Sequence, residues 1–235
     1  KWYHVKHPHP DMARKAVYGL PEVYKKQIRT AQIVANPGCY PTSALLALLP
    51  LKALAGRLDR DIIVDAKSGY SGAGRSAKPH LLLSEGYGDF TAYKMLHHNH
   101  ISEMQQEAEH VFGAPVRLAF TPHLIPVPRG ILSTLYVRTN EPVSQEELRA
   151  AYEKECARHP FLQLAAPGQV PGIKQVNGTN LCRVNAFADP DNGLIKIVSV
   201  IDNLIKGAAG QAVQNMNIMF GARETTALGT VPVVP

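Results

Sequence analysis

The sequence predicts an α+β fold, and three stretches carry that expectation. Ala31 to Ala35 is a short apolar strand that runs through Asn36-Pro37-Gly38 into Cys39-Tyr40-Pro41-Thr42 and an apolar helix. Asp61-Ile62-Ile63-Val64-Asp65-Ala66-Lys67 is a buried-strand pattern. Asn180 to Ala188 and Leu194 to Ile201 flank Asp189-Pro190-Asp191-Asn192-Gly193, a strong hairpin turn.

The remaining elements follow in order. Residues 1–30 read as irregular, with Pro21 opening a short helix through Ile28. Pro41 suits the first position of the helix after Cys39, and Pro50 marks its stop. Ser68-Gly69-Tyr70-Ser71-Gly72-Ala73-Gly74-Arg75-Ser76 is a glycine loop. Tyr87 to Met95 reads as extended. Ile101, Met104, Ala108, Val111 and Phe112 recur at near-helical spacing. Val116 to Phe120 is a strand, Thr121 to Gly130 a proline-rich loop, and Ile131 to Arg138 a strand of alternating pattern. Ser144-Gln145-Glu146-Glu147 is a capping box that opens a helix to about His159. Asn203 to Met219 is rich in small and apolar residues and reads as a closely packed helix, followed by a frayed tail after Arg223.

Composition narrows the class. With 235 residues, 45% hydrophobic and 19% charged, the chain is long enough for one large domain or two small ones with a sizeable core. No run approaches ~18 consecutive apolar residues, so no membrane span is expected. Three cysteines build no disulfide framework and favour a reducing, cytoplasmic compartment. Most of the net charge of +6 sits in the first 30 residues, where seven Lys/Arg face only Asp11 and Glu22. That segment has no nucleic-acid-binding pattern and reads as a solvated basic face. A mild positive field also suits a phosphorylated small molecule.

Cys39 is the leading candidate for chemistry. A strand–turn–helix places it at or just before a helix N-terminus, where unpaired backbone N–H groups and the helix dipole favour a thiolate. The alternative is a buried structural thiol. A histidine beside it would serve as acid/base, because its pKa straddles neutrality. His98 and His100, just ahead of a helix, are better placed than His97 or His123, and His7 and His9 read as surface residues. No Cys or second His pair stands at zinc-site spacing. The letters Gly69…Gly74-Arg75-Ser76 mimic a P-loop, but the phosphate-binding lysine is an arginine and Lys78-Pro79 is poor helix material. A loop wrapping an anion or a cofactor amide is the better reading. Arg129, in Pro128-Arg129-Gly130, offers a bidentate fork for carboxylate or phosphate.

Taken together, these residues resemble the N-acetyl-γ-glutamyl-phosphate reductases of arginine biosynthesis, relatives of aspartate-semialdehyde dehydrogenase. Ile33-Val34-Ala35-Asn36-Pro37-Gly38-Cys39-Tyr40-Pro41-Thr42 is close to that family's active-site pattern. Val17 to Glu22, Ser68 to Arg75, Thr121 to Leu124, Pro128 to Leu132 and Asp202 to Ala209 extend the likeness from Trp2 to Gly221.

The resemblance implies NADPH-dependent reduction of an acyl phosphate to a semialdehyde through a Cys39 thioester. It matches His98-Asn99-His100-Ile101-Ser102-Glu103-Met104 to the family's histidine motif and puts the acid/base at His98. Asn99 and Ser102 depart from the family's arginine and proline there. It further implies Arg75, Arg129, Asn36 and His100 as substrate-binding residues, and Ser68, Gly69 and Asn203 as contacts for the cofactor NADP. The implied fold is a catalytic and dimerisation domain with a mixed sheet and packed helices, plus remnants of a Rossmann-type domain. Residues 1–38 would be the tail of a nucleotide-binding domain, 39–202 the catalytic and dimerisation domain, and 203–235 a helix returning to the first. The family's glycine-rich nucleotide loop is not found in this sequence, so the chain is expected to lack most of that domain. The expected assembly is a homo-oligomer, either dimer or tetramer. Alternatives are the same chemistry on an aminoadipyl phosphate, a non-catalytic dimerisation and substrate-binding fragment, and a cofactor-free cysteine acyl-hydrolase. The last lacks any cysteine-protease pattern.

Overall fold

A computed structural model describes residue 2, residues 7–74, residue 79 and residues 82–233. Arg75, Ser76 and Lys78 lie outside the described residues, so the expectation for Arg75 has no structural counterpart.

The chain opens with helix α1 (Pro10–Lys15), strand β1 (Val17–Tyr18), helix α2 (Pro21–Ile28) and strand β2 (Val34–Ala35). β1 and β2 pair in parallel, Val17 with Val34 and Tyr18 with Ala35, and α2 makes the crossover. The strand expected from Ala31 is therefore shorter, because only two residues find a partner. The first 30 residues are correspondingly more regular than expected.

Helix α3 (Cys39–Leu48) follows at once and passes into a 3-10 helix, Leu49–Arg57. Pro41 stands third in α3 rather than first. It is tolerated there because the opening N–H groups of a helix have no partner within it. Pro50 tightens the helix instead of ending it. The combined stretch Cys39–Arg57 is long and apolar enough to cross a membrane, and 67% of its most apolar window is buried inside the fold. Tyr40 to Leu48 are all buried, so α3 is a core helix, with Thr42 and Ser43 as its buried polar residues.

The main sheet has seven strands in the order β4-β5-β3-β6-β9-β8-β7. They are β3 (Leu58–Gly69), β4 (Thr91–Ala92), β5 (Arg117–Ile125), β6 (Ile131–Thr139), β7 (Leu162–Leu164), β8 (Cys182–Asp189) and β9 (Leu194–Ile201). β3–β5 and β7–β8 are parallel and the other neighbours antiparallel, which makes the sheet mixed. The helices between them are α4 (Leu83–Gly86), α5 (His100–Phe112), α6 (Gln145–Cys156) and α7 (Gly210–Met219).

Two expectations along the sheet need correction. β5 runs to Ile125 through what reads as a proline loop. Pro122 O accepts from Tyr93 N–H, so the proline's missing donor faces the short edge strand β4 and breaks no bond to β3. In turn, the extended segment expected over Tyr87 to Met95 shrinks to β4, since only Thr91 and Ala92 pair.

Ile62, Val64 and Ala66 of β3, Phe120 of β5 and Leu135 and Val137 of β6 share one core with Leu45 and Leu48 of α3, Met104 and Ala108 of α5, and Leu148 and Tyr152 of α6. The alternate residues on the other face are left partly open, with Ile63 50% exposed. The α6 capping box forms as expected, Ser144 accepting from Glu147 N–H while the Glu147 carboxylate accepts from Ser144 N–H.

At the C-terminus, α7 is preceded by a π-helical turn, Ile205–Ala209. The tail beyond Arg223 packs rather than frays. Glu224 accepts from Gln214 and pairs with Lys25, and Val233 N–H donates to Asn177 O.

Candidate active site

Cys39 is the first residue of α3, with Gly38 ahead of it in an extended conformation. Thr42 closes the first turn, its N–H and its hydroxyl both donating to Gly38 O at 2.9 Å. Burial pushes the Cys39 thiol up to about 11, and the nearby Glu103 carboxylate adds to the rise. The N–H groups of Tyr40 and Cys39 pull the other way, as a helix N-terminus should. At neutral pH the group is therefore a thiol that needs a base to become a nucleophile.

Two histidines stand close to that turn. The His100 ring lies against Gly38, where an added Cβ would fall 2.7 Å from His100 Cδ2. This contact explains why the turn needs glycine. His98 is one ring further in, its centroid 4.7 Å from that of His100, packed edge-on against Tyr40, Tyr93 and Phe120. Its Nδ1 accepts from His100 N–H at 3.1 Å, which leaves the proton of the neutral ring on Nε2. Burial drives both imidazoles down to about 4, His98 with help from His100 and Lys94, and His100 with help from Lys94. Both are neutral at pH 7; His98, with Nδ1 engaged and its proton on Nε2, is set to donate a proton, whereas His100 Nδ1 has no hydrogen-bond partner among the described residues. Among the described residues no hydrogen bond joins either ring to Cys39.

Glu103 fixes the turn from below. Its carboxylate accepts from Gly38 N–H at 2.8 Å and from Tyr18 O–H at 2.7 Å. Burial raises its pKa against the pull of those two donors. Tyr40, next to the thiol, donates to His123 O and accepts from Tyr93 O–H, both at 3.2 Å.

The opposite wall comes from three loops. Asn203 Oδ1 accepts from Gly130 N–H at 2.6 Å and its Nδ2 donates to Ser71 Oγ at 3.0 Å, tying the Pro128-Arg129-Gly130 loop to the glycine loop. Ser68 is buried, its hydroxyl donating to Gly69 O, and Gly69 N–H donates to Gly130 O. Arg129 pairs with the fully buried Asp202 at 2.7 Å while keeping 36% of its side chain exposed, beside a cavity of about 330 Å³ that Pro128 and Asn177 also line. Asn36 is exposed, but its side chain is tied down, donating to Ala208 O and accepting from Asn215 Nδ2, each at 3.1 Å. Gly207 closes the wall: a Cβ there would sit 2.7 Å from Cys39 Cβ.

Cys39, His98 and His100 are thus gathered around one turn, and Ser68, Gly69, Asn203 and Arg129 in an adjoining network. Glu103, Asp202 and Gly207 were not singled out from the sequence, although all three stand in stretches that carry the resemblance. His123, the weaker histidine, lies on β5 with its Nδ1 3.1 Å from Asp65 Oδ1, while His7 and His9 are exposed.

Comparison with known proteins settles the lineage. The semialdehyde dehydrogenase, dimerisation domain, family matches residues 39–203. The N-acetyl-gamma-glutamyl-phosphate reductase of Moorella thermoacetica is 48% identical over 236 residues, covering 100% of this chain and 68% of that protein. The chain belongs to this reductase family. The proteins of the same name from Thiobacillus denitrificans and Pelotomaculum thermopropionicum are 45% and 47% identical, again over 100% of this chain and 68% of their own length. Among solved structures, aspartate semialdehyde dehydrogenase II of Vibrio cholerae superposes with a TM-score of 0.71 at 21% identity, covering 89% of this chain and 69% of that one. That likeness shows the shared semialdehyde-dehydrogenase fold, with its mixed sheet and packed helices. The reductase family is one of oxidoreductases in arginine biosynthesis, and the domain model that matches residues 39–203 is described as a dimerisation domain.

Proposed function

We propose that this chain carries the acyl-transfer chemistry of an N-acetyl-γ-glutamyl-phosphate reductase, with Cys39 as nucleophile. The observation that carries the reading is the Cys39 turn itself, a thiol at the N-terminus of a core helix with two neutral imidazoles beside it. Its sulfur attacks the acyl carbon of the acyl phosphate, the C–O bond to phosphate breaks, and inorganic phosphate leaves. The thiol proton passes to an imidazole. The resulting thioester is a better hydride acceptor than a carboxylate, which splits one hard step into two easier ones.

The acid/base role falls to the histidine pair. The motif assigns it to His98, whose Nε2 holds the proton. A second reading assigns it to His100, because that ring, not His98, touches the turn at Gly38. Replacing each by Asn in the intact enzyme and comparing pH–rate profiles separates them: the true base loses the acid limb of kcat, and the other variant keeps it.

Arg129 is the residue proposed to meet the substrate's charged groups, since Asp202 orients its guanidinium and leaves part of it open. Asn36 holds the Cys39 turn to the π-turn rather than offering a free amide. The nicotinamide cofactor, when bound, supplies the hydride. Ser68, Gly69 and Asn203 are held in place by bonds to Gly69 O, Gly130 and Ser71, and one Nδ2–H of Asn203 and the Ser68 hydroxyl oxygen keep capacity for a cofactor amide. Residues 1–38 and 203–235 are the parts proposed to adjoin a nucleotide-binding domain. NADP rather than NAD, and a cytoplasmic setting in which Cys39, Cys156 and Cys182 stay free thiols, complete the reading.

The partly open sheet face is the surface proposed for a second copy of this chain. Cross-strand rows Ile63–Tyr136–Lys196 and Asp65–Thr134–Val198 lie on it, as do Lys67 and Leu132, whereas Val200 beside them is buried. Tyr136→Lys should weaken the dimer by about thirtyfold in sedimentation equilibrium, the effect of losing one central anchor. An unchanged dissociation constant removes this face from the interface.

The functional test is turnover. The intact enzyme given N-acetylglutamate semialdehyde, phosphate and NADP should form reduced cofactor, and Cys39→Ala should not. Turnover by Cys39→Ala refutes the nucleophile. Tight dimers of the wild-type chain without turnover or NADP binding support the non-catalytic module.

A further inference from the structure

The π-turn behind Cys39 is anchored by a buried charge that the chemistry above does not use. Lys206, fully buried, donates from Nζ to Glu22 Oε1 at 2.7 Å and to Gln214 Oε1 at 2.8 Å, with the Phe161 ring 5.6 Å away. Glu22 belongs to α2 in the β1–α2–β2 unit, and its side chain is equally buried. Burial alone would raise the Glu22 pKa, but the Lys206 charge and its hydrogen bond overcome that and lower it. Both side chains of the pair are fully buried. Such a pair contributes little net stability compared with apolar residues of the same volume, and its best-attested use is to fix one arrangement among several.

The arrangement it fixes is visible on either side of Lys206. Asp202 and Asn203, just before it, hold Arg129 and Gly130. Gly207, just after it, leaves no room for a Cβ against Cys39, and Ala208 O holds Asn36, three residues ahead of the thiol. π-helical turns are uncommon and cluster at functional sites. A relaxation of this one to α-helical winding would rotate Gly207 away from Cys39 and move Asp202 with respect to Arg129.

We infer that Glu22 and Lys206 are positioning residues, holding the π-turn so that Gly207 stands against Cys39 and Asp202 against Arg129, and thereby tying the β1–α2–β2 unit to the reactive cysteine. This rests on Cys39 being the nucleophile.

The test is made in the intact enzyme with Lys206→Met, with the charge-free pair Glu22→Gln/Lys206→Met, and with the milder Gln214→Met, which removes one of the two bonds to Nζ. The expected result is a fall in kcat of about 100-fold for the charge-free pair, the usual consequence of a misplaced reacting group, with the rate of Cys39 alkylation by iodoacetamide altered at every pH and the thermal midpoint nearly kept. Gln214→Met should move kcat and alkylation in the same direction by less. Should the pair variants fail to fold, Gln214→Met decides. A charge-free pair or a Gln214→Met enzyme with wild-type kcat and wild-type alkylation overturns the inference, as does a loss of kcat that merely tracks unfolding. Cys39→Ala, run in parallel, reports separately on the nucleophile: turnover in that variant is a failure of the underlying reading, not of the positioning role.

Discussion

The turn that carries Cys39 and the core that carries Cys156 and Cys182 impose the same cost on a thiolate. Burial pushes Cys39 to about 11 and Cys156 and Cys182 each to about 12. What differs is the company. Cys182 lies on β8 under the sheet's helices, its sulfur 3.4 Å from Ser199 Oγ, and Cys156 ends α6. Neither stands at a helix N-terminus. Cys39 has two N–H groups aimed at it, and His100 packs on the glycine before it. A lowered resting pKa therefore does not set this cysteine apart; its helix N-terminus and the imidazole packed on Gly38 do.

The largest expected effect contrasts the thiols directly. Cys39→Ala should lower turnover by a factor on the order of 10⁴ or more, as loss of a nucleophile does, whereas Cys182→Ala should leave kcat unchanged and cost about 1–2 kcal/mol in denaturant unfolding. Equal effects of the two substitutions on kcat would erase the distinction.

The next contrast is in pH. His98 and His100 have folded pKa values depressed to about 4, against an ordinary value of about 6.5. Between those values the unfolded chain binds more protons than the folded one. Their contribution to stability is thus complete above about pH 6.5 and is lost as pH falls toward 4. The thermal midpoint should drop across that window, and His98→Gln should flatten the drop. An unchanged slope would mean the rings are not held neutral beside the turn.

The smallest effect serves as a control away from the turn. Ser144→Ala removes the cap of α6 and should cost about 1 kcal/mol in chemical denaturation with no change in kcat. A fall in kcat would show that the core and the turn are mechanically coupled.

Much of this was legible in the sequence, for identifiable reasons. The Pro-Gly-Cys turn, the Ser144 capping box and the hairpin around Gly193 are local signals, set by residues within a few positions of one another. The sequence hides β5 past Phe120, because its continuation depends on long-range pairing with β3, and Pro122 is harmless only beside a two-residue edge strand. The tail beyond Arg223 was misread for the same reason, since Glu224 and Val233 find their partners at Lys25 and Asn177. At the site, the residue types were readable but their commitments were not. The resemblance implies Asn36 as a substrate contact and Asn203 as a cofactor contact, but not that folding joins them to Ala208, Asn215, Gly130 and Ser71. Glu103 escaped notice because its role depends on the amide of Gly38, 65 positions away.

The central claim is that Cys39 becomes acylated, and it is tested most directly by mass spectrometry of the intact enzyme mixed with N-acetyl-γ-glutamyl phosphate in the absence of reduced cofactor. The account expects one phosphate released per active site and an N-acetylglutamyl adduct on the peptide containing Cys39, both missing in Cys39→Ala. Phosphate release without an adduct, or an adduct on Cys156 or Cys182, would contradict it.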